Sequence, residues 1–87
     1  MTSVVVAPRE IDSATGPSFA ASLKGTEVVI DCSNVEFIDS SGLRVLLEAR
    51  EVRAPYGGRV VLRGPTPAVS RLLELTSTTD LFVIEGP

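Results

Sequence analysis

Residues 39–42 of this 87-residue chain read Asp-Ser-Ser-Gly, and they stand where a strand-like run meets a helix-like one, in EFIDSSGLRVLLEAR (36–50). Two kinds of chemistry fit that junction. Asp39, Ser40 and Ser41 carry oxygens that can accept the unpartnered N–H groups of a helix's first turn, a cap contributing about 1 kcal/mol. A serine hydroxyl at the same place is also a well-positioned phosphate acceptor. The phosphate would face free N–H donors and the positive end of the helix dipole, so the fold could carry it. It would add a charge of about −1.5 to −2 beside Asp39, so a partner that fits the bare hydroxyl would be repelled. Spacing alone leaves Ser40 and Ser41 equivalent as acceptors. Gly42, inside a helix's first turn, costs roughly 0.5–1 kcal/mol relative to alanine, which close backbone approach to the sheet or to a partner would justify. Leu43 and Leu47, one turn apart, fall at the edge of the core stripe, where either packing or partner contact would use them.

Other chemistries are poorly supplied. The chain has no histidine, which removes Ser-His-Asp and Cys-His nucleophile systems and most zinc or iron sites. Asp31, Glu36 and Asp39 form a carboxylate set that acid–base catalysis or a metal would need. No pocket-forming glycine loop or histidine accompanies them, and strand ends and caps use carboxylates routinely. The expectation is no enzyme, no metal and no cofactor. Lys24 is the one lysine, without a phosphate-loop glycine pattern around it. Cys32 is the one cysteine, so no internal disulfide forms, and its place at a strand end reads as packing.

The net charge of −3 is unevenly spread. Residues 1–43 are acidic, whereas residues 44–71 carry Arg44, Arg50, Arg53, Arg59, Arg63 and Arg71 against Glu48 and Glu51. Tyr56 is the one ring near these arginines, too little aromatic surface for a nucleic-acid site. Solvated surface charge explains the block, and a docking face for a charged partner is its sharper reading.

Around the junction the elements alternate. SVVV (3–6) reads as a strand closed by Pro8. A short helix follows, capped by Thr15 or Gly16, with Pro17 in its first turn and Gly25 ending it, and Phe19 and Leu23 facing the core. TEVVIDCS (26–33) is a strand whose apolar centre, Val28 to Ile30, indicates burial on both faces. Residues 41–53 form the strongest helix: Leu46, Ala49 and Val52, with Val45 beside them, make its apolar stripe, and Arg44, Glu48 and Glu51 face solvent. APYGG (54–58) turns the chain, and RVVLRG (59–64) is a strand. A helix then starts at Thr66-Pro67 with Val69, Leu72 and Leu73 inward, and LFVIE (81–85) closes the pattern as a strand. The order β-α-β-α-β-α-β with short connections predicts one α/β domain with a mostly parallel sheet of four to five strands covered by about three helices.

The sequence resembles the STAS domain, and within it bacterial anti-sigma factor antagonists. DCSNVEFIDSSGL (31–43) is similar to the family signature through Asp31, Ser33, Val35, Phe37, Ile38, Asp39, Ser40, Ser41, Gly42 and Leu43. REIDSAT (9–15) matches an early family segment through Glu10, Ile11, Asp12 and Thr15, and GGRVVLRGPTPAVSRLLELT resembles the usual second half. The likeness covers nearly the whole chain, so residues 1–87 are expected to be one STAS domain.

That resemblance implies a binding protein rather than an enzyme. Such antagonists bind an anti-sigma factor that is itself a serine kinase of the histidine-kinase-like ATPase fold, and thereby release a sigma factor for transcription. The kinase phosphorylates the antagonist and a PP2C-type phosphatase restores it. The family acceptor is the serine directly after the aspartate, which places it at Ser40, with Ser41 as the alternate. Asp12, Thr15, Asp39, Ser40, Ser41, Gly42, Leu43 and Leu47 are then the partner-binding set. The family also contains subunits of lipid-transport ABC ATPase systems and members of stress-sensing assemblies, which is the alternative function. Genomic neighbours would separate the two. There are departures: Arg9 stands where glycine is usual, Ser77 replaces a glycine often found after ELT, an early strand is shortened and a usual C-terminal helix is missing. Exposed sheet edges at those ends would invite edge pairing into a homodimer. No apolar run approaches the ~20 residues needed to span a bilayer and no signal peptide opens the chain, so the expectation is a cytoplasmic protein without membrane insertion.

Overall fold

The computed structural model describes residues 1–86. Strand β1 (Thr2–Val6), a two-residue strand β2 (Glu10–Ile11) and helix α1 (Gly16–Ser22) lead to β3 (Glu27–Asp31). A second two-residue strand, β4 (Phe37–Ile38), runs into α2 (Ser40–Arg53); β5 (Val60–Arg63), α3 (Pro67–Leu75) and β6 (Val83–Glu85) complete the chain. The main sheet has order β1-β3-β5-β6 and every pairing is parallel. Parallel neighbours require crossovers, and the helices between the strands supply them. The fold is the single α/β domain expected, with three helices and a four-stranded parallel sheet. No helix among the described residues is long and apolar enough to cross a membrane.

All three helices lie on one face of that sheet. Phe19 of α1, Leu43, Leu46 and Ala49 of α2, and Val69 and Leu73 of α3 join Val28, Ile30, Val60 and Leu62 in one buried cluster. The alternate strand residues Val29 and Val61 point to the other face, where no helix covers them. They are nevertheless 7% and 3% exposed. Double-sided burial of β3 was therefore a correct expectation with a different cause. Valines on the neighbouring strands and the long side chains of the Arg59–Glu27 and Arg63–Glu85 pairs shelter this row.

Several local expectations change. Helix α1 ends at Ser22, with Leu23 extended and only half-buried, so Gly25 (φ 90°) turns the chain into β3 rather than stopping the helix. In α2 the apolar stripe does not include Val52, which is 68% exposed. Arg53 takes the inward place, buried with its Nη1 donating to the Ala49 carbonyl at 2.9 Å. A cation is favoured at a helix C-terminus, and its aliphatic stem can pack. Thr66 precedes α3 but does not cap it through its side chain; its hydroxyl donates to the Val35 carbonyl at 2.7 Å and ties the helix start to the loop before β4.

Candidate functional site

Strands β2 and β4 set the Asp-Ser-Ser-Gly junction in place. They pair in parallel, Glu10 with Phe37 and Ile11 with Ile38. Asp39 follows with extended backbone (φ −118°, ψ −169°) and its N–H donates to the Ile11 carbonyl at 3.4 Å. Its carboxylate Oδ1 accepts the N–H of Ser41 at 3.0 Å and of Gly42 at 3.1 Å, while its carbonyl accepts that of Leu43 at 2.9 Å. Asp39 thus caps α2 through its carboxylate, which takes the N–H groups of Ser41 and Gly42 but not that of Ser40.

This alters one expectation. A phosphate on Ser40 would not meet a set of free first-turn donors, because Asp39 already occupies those of Ser41 and Gly42. What remains for it is the N–H of Ser40, the helix dipole and the exposed position of Ser40 itself. Ser41 is half-buried. A phosphoryl group on Ser40 lies beside the Asp39 carboxylate, so the modified junction concentrates negative charge at one spot.

Gly42 is explained from within the fold. A Cβ at this position would collide with the backbone carbonyl of Ile11 and lie 2.8 Å from Ile38 Cγ1. The glycine lets α2 seat on the β2–β4 pair, and it is buried, so it contributes backbone position and no contact surface. Leu43 is 7% exposed and belongs to the core, the packing use of the two that the sequence left open for it. Leu47 is half-buried and keeps some surface.

Asp12 and Thr15 brace the neighbouring loop. The Asp12 N–H donates to Thr15 Oγ1 at 3.0 Å, and Asp12 Oδ1 accepts the N–H groups of Ala14 and Thr15, each at 3.0 Å. The Thr15 hydroxyl donates to the Glu10 carbonyl at 2.7 Å, tying the turn to β2. The Thr15 N–H, ahead of its hydroxyl and the Ala14 N–H, holds the Asp12 carboxyl below its ordinary value. These bonds bring the loop against the start of α2. Asp12, Ser13 and Pro17 on one side and Ser40, Ser41 and Arg44 on the other line an open groove of about 470 Å³. Ser40, Arg44 and Leu47, with Glu48 and Glu51, line a smaller one of about 390 Å³ on the far flank of α2.

From the sequence Arg44 belongs to a block of surface charge whose sharper reading is a docking face for a charged partner. It stands one turn from Ser40, lines both grooves and has no ion pair among the described residues. The i, i+4 spacing from Ser40 was the signal available for it. Four of the other arginines do not join Arg44 in its grooves. Arg59 pairs with Glu27, Arg63 with Glu85, Arg50 donates to the Leu81 carbonyl and Arg53 is buried.

The carboxylate set is likewise dispersed. Asp31 accepts the Ser33 hydroxyl at 2.7 Å, Glu36 pairs with Arg9 at 2.7 Å and Asp39 caps α2. Among the described residues no group of three or more His, Cys, Asp or Glu side chains stands close enough to hold a metal. Cys32 is fully buried, and burial first, then the charge of Asp31, pushes its thiol up to about 12.

With this geometry described, the chain can be set beside known proteins. Residues 10–84 match the family model described as Mlab, STAS domain. A crystal structure of a candidate anti-sigma factor antagonist from Thermotoga maritima superposes with a TM-score of 0.84 at 25% identity, covering 97% of this chain and 80% of that one. An NMR structure of the same Thermotoga protein gives 0.79 at 23% identity, over 95% and 74%. The anti-sigma factor antagonist SpoIIAA in its unphosphorylated form gives 0.78 at 19% identity, over 94% and 79%. The last two likenesses bear on the fold alone. No curated protein matches the chain in sequence.

Proposed function

The chain belongs to the STAS domain family, and from that premise we propose that it is an anti-sigma factor antagonist switched by phosphorylation at Ser40. In its bare form it binds an anti-sigma factor that is a serine kinase of the histidine-kinase-like ATPase fold, and so regulates sigma-factor-dependent transcription. A PP2C-type phosphatase reverses the modification. The module binds; it does not catalyse.

One observation carries the reading. Ser40 stands exposed at the first position of α2, between two grooves, on a helix start that Asp39 and Gly42 fix rigidly to β2 and β4. A charge added there changes the surface and leaves the frame intact. The contact surface consists of Ser40, Arg44 and Leu47, with Asp12 and Ser41 at its rim; Thr15, Asp39, Gly42 and Leu43 shape it from beneath. The likeness to the Thermotoga antagonist supports the partner class.

The test is phosphorylation by the cognate kinase with ATP, followed by mapping of the phosphate by mass spectrometry. Modification at Ser40 with loss of kinase binding is the expected result; phosphate confined to other residues would remove the switch. A second reading keeps the same surface and replaces the partner with an ABC ATPase of a lipid-transport system or with a stress-sensing assembly. It keeps its place because the matching family model is described as Mlab rather than as an anti-sigma factor antagonist. Pull-down of the ATPase in place of a kinase would favour it.

A further inference from the structure

The helix-free face of the sheet carries three rows of side chains, read across the strands by register. The central row is Val4, Val29, Val61 and Val83. One flanking row holds Thr2 and Glu27 with Arg59, just before β5, ion-paired to Glu27; the other holds Val6, Asp31, Arg63 and Glu85. At the rims of this face Val4 is 60% exposed, Val6 59% and Val83 37%. The central row is therefore apolar between two charged borders, each acidic on β3 and basic at an end of β5, and its exposed apolar surface is Val4 and Val83, because Val29 and Val61 are already sheltered.

We propose that this face is a homodimer interface, in which two copies stack sheet on sheet with β3 of one over β5 of the other. A two-fold axis parallel to the strands produces that arrangement. It sets Glu27 over Arg59 of the second copy and Asp31 over Arg63, with Val29 over Val61 and Val4 over Val83. Opposite charges meet at both borders, the exposed Val4 and Val83 meet between them, and Val6 lies over Glu85. A two-fold axis across the strands instead sets Glu27 over Asp31 and Arg59 over Arg63, four like-charge encounters. Charge thus selects one of the two ways of stacking the face on itself. Aligned packing of two sheets about 10 Å apart is an ordinary geometry for such faces.

The footprint sets the strength. Four strands about 4.8 Å apart, each about five residues long, span roughly 300 Å² per copy, well under the ~800 Å² per partner of a standard interface. The dimer is a weak one. It leaves the helix layer, and Ser40 with it, facing outward on both copies. The inference stands whether or not Ser40 is a switch, since it uses the opposite face and differs from pairing at the sheet edges.

Sedimentation of the whole chain from about 10 µM to about 1 mM tests it. The expected result is a rise from monomer toward dimer over that range. Glu27→Arg alone sets arginine over arginine, and Arg59→Glu alone sets glutamate over glutamate, so each variant stays monomeric. Mixed in equal amounts they restore opposite charges at the Glu27 and Arg59 positions in both halves, and they form a heterodimer. Val4→Glu, at an exposed edge position, abolishes association with an unchanged circular dichroism spectrum and melting curve. Should either single charge variant fail to fold, Glu27→Arg combined with Arg59→Glu in one chain keeps both pairings and dimerises like the parent. A parent that remains monomeric at about 1 mM overturns the proposal. So does a mixture that sediments as monomers, or a Val4→Glu chain that dimerises unaltered.

Discussion

Gly42 presses so closely on the backbone carbonyl of Ile11 that no side chain fits between them. The first turn of the long helix is thereby locked onto β2, and the position of Ser40 follows from it. Gly42→Ala forces a methyl group into packed backbone, which cannot rotate away as a side chain would. The expected loss is roughly 3 kcal/mol, at the upper end of overpacking effects. Urea denaturation measures it, and a loss below ~1 kcal/mol would mean that the helix shifts freely.

Ser77 holds a left-handed backbone (φ 57°) just after α3. Its N–H donates to the Glu74 carbonyl at 3.1 Å and that of Thr78 to the Leu73 carbonyl at 2.9 Å, the two bonds of a Schellman motif. The residue at that position is usually glycine, because a side chain there is strained by roughly 1–2 kcal/mol. Ser77→Gly should stabilise the protein by about 1 kcal/mol, a rise of about 4–8 °C in Tm for a domain of this size. Differential scanning calorimetry of the two chains decides it.

How much of this was legible beforehand depended on whether the signal was local. The strands around Val28 to Ile30 and Val60 to Leu62, and the helices starting at Ser40 and Pro67, announced themselves by apolar runs and cap residues. The β2–β4 pair did not, since two residues carry no period, and their pairing joins Ile11 to Ile38 across the chain. Val52 and Arg53 were exchanged for a similar reason. Periodicity places valine inward, whereas the turn after α2 lets arginine fold back on the Ala49 carbonyl. At the site, the sequence offered Asp39, Ser40 and Ser41 as caps and could not tell which of them would act or which donors it would take. That the cap uses the N–H groups of Ser41 and Gly42 is a matter of geometry alone.

Acid should weaken the fold in a defined window. The Thr15 N–H holds Asp12 low, the Arg59 guanidinium holds Glu27 low and the Ser33 hydroxyl holds Asp31 low. A carboxyl held below its unfolded value binds its proton less readily when folded. The stability it contributes is therefore present above about pH 4.5 and is lost as pH falls through the lowered values. Urea midpoints should be flat between about pH 5 and 7 and fall steadily below about pH 4. Asp12→Asn removes one titrating group and should shrink that fall; an equal acid dependence in both chains would exclude Asp12 as a contributor.

Cys32 should resist alkylation in the folded protein. Its side chain is shut off from solvent, and its thiol, pushed up to about 12, supplies almost no thiolate at neutral pH. Iodoacetamide at about pH 8 should modify it only in denaturant, a contrast that intact mass measurement reads directly. Fast labelling without denaturant would show that the end of β3 opens locally.

Substitutions at Ser40 separate its charge from its place in the helix. Ser40→Ala removes the acceptor from an exposed position whose cap is made by Asp39, so stability should change by less than ~0.5 kcal/mol and partner binding should persist. Ser40→Glu adds one negative charge beside the Asp39 carboxylate, between the two grooves. The partner docked there should bind roughly tenfold more weakly, an effect of about 1.4 kcal/mol that shrinks as salt is raised. Arg44, one turn along the same helix, partly offsets such a charge, so Arg44→Ala combined with Ser40→Glu should weaken binding further than Ser40→Glu alone. Isothermal titration against the proposed kinase partner at two salt concentrations tests all three chains. Equal affinity of the Ser40→Glu and parent chains would eliminate charge as the means of switching, even if Ser40 proved to be modified.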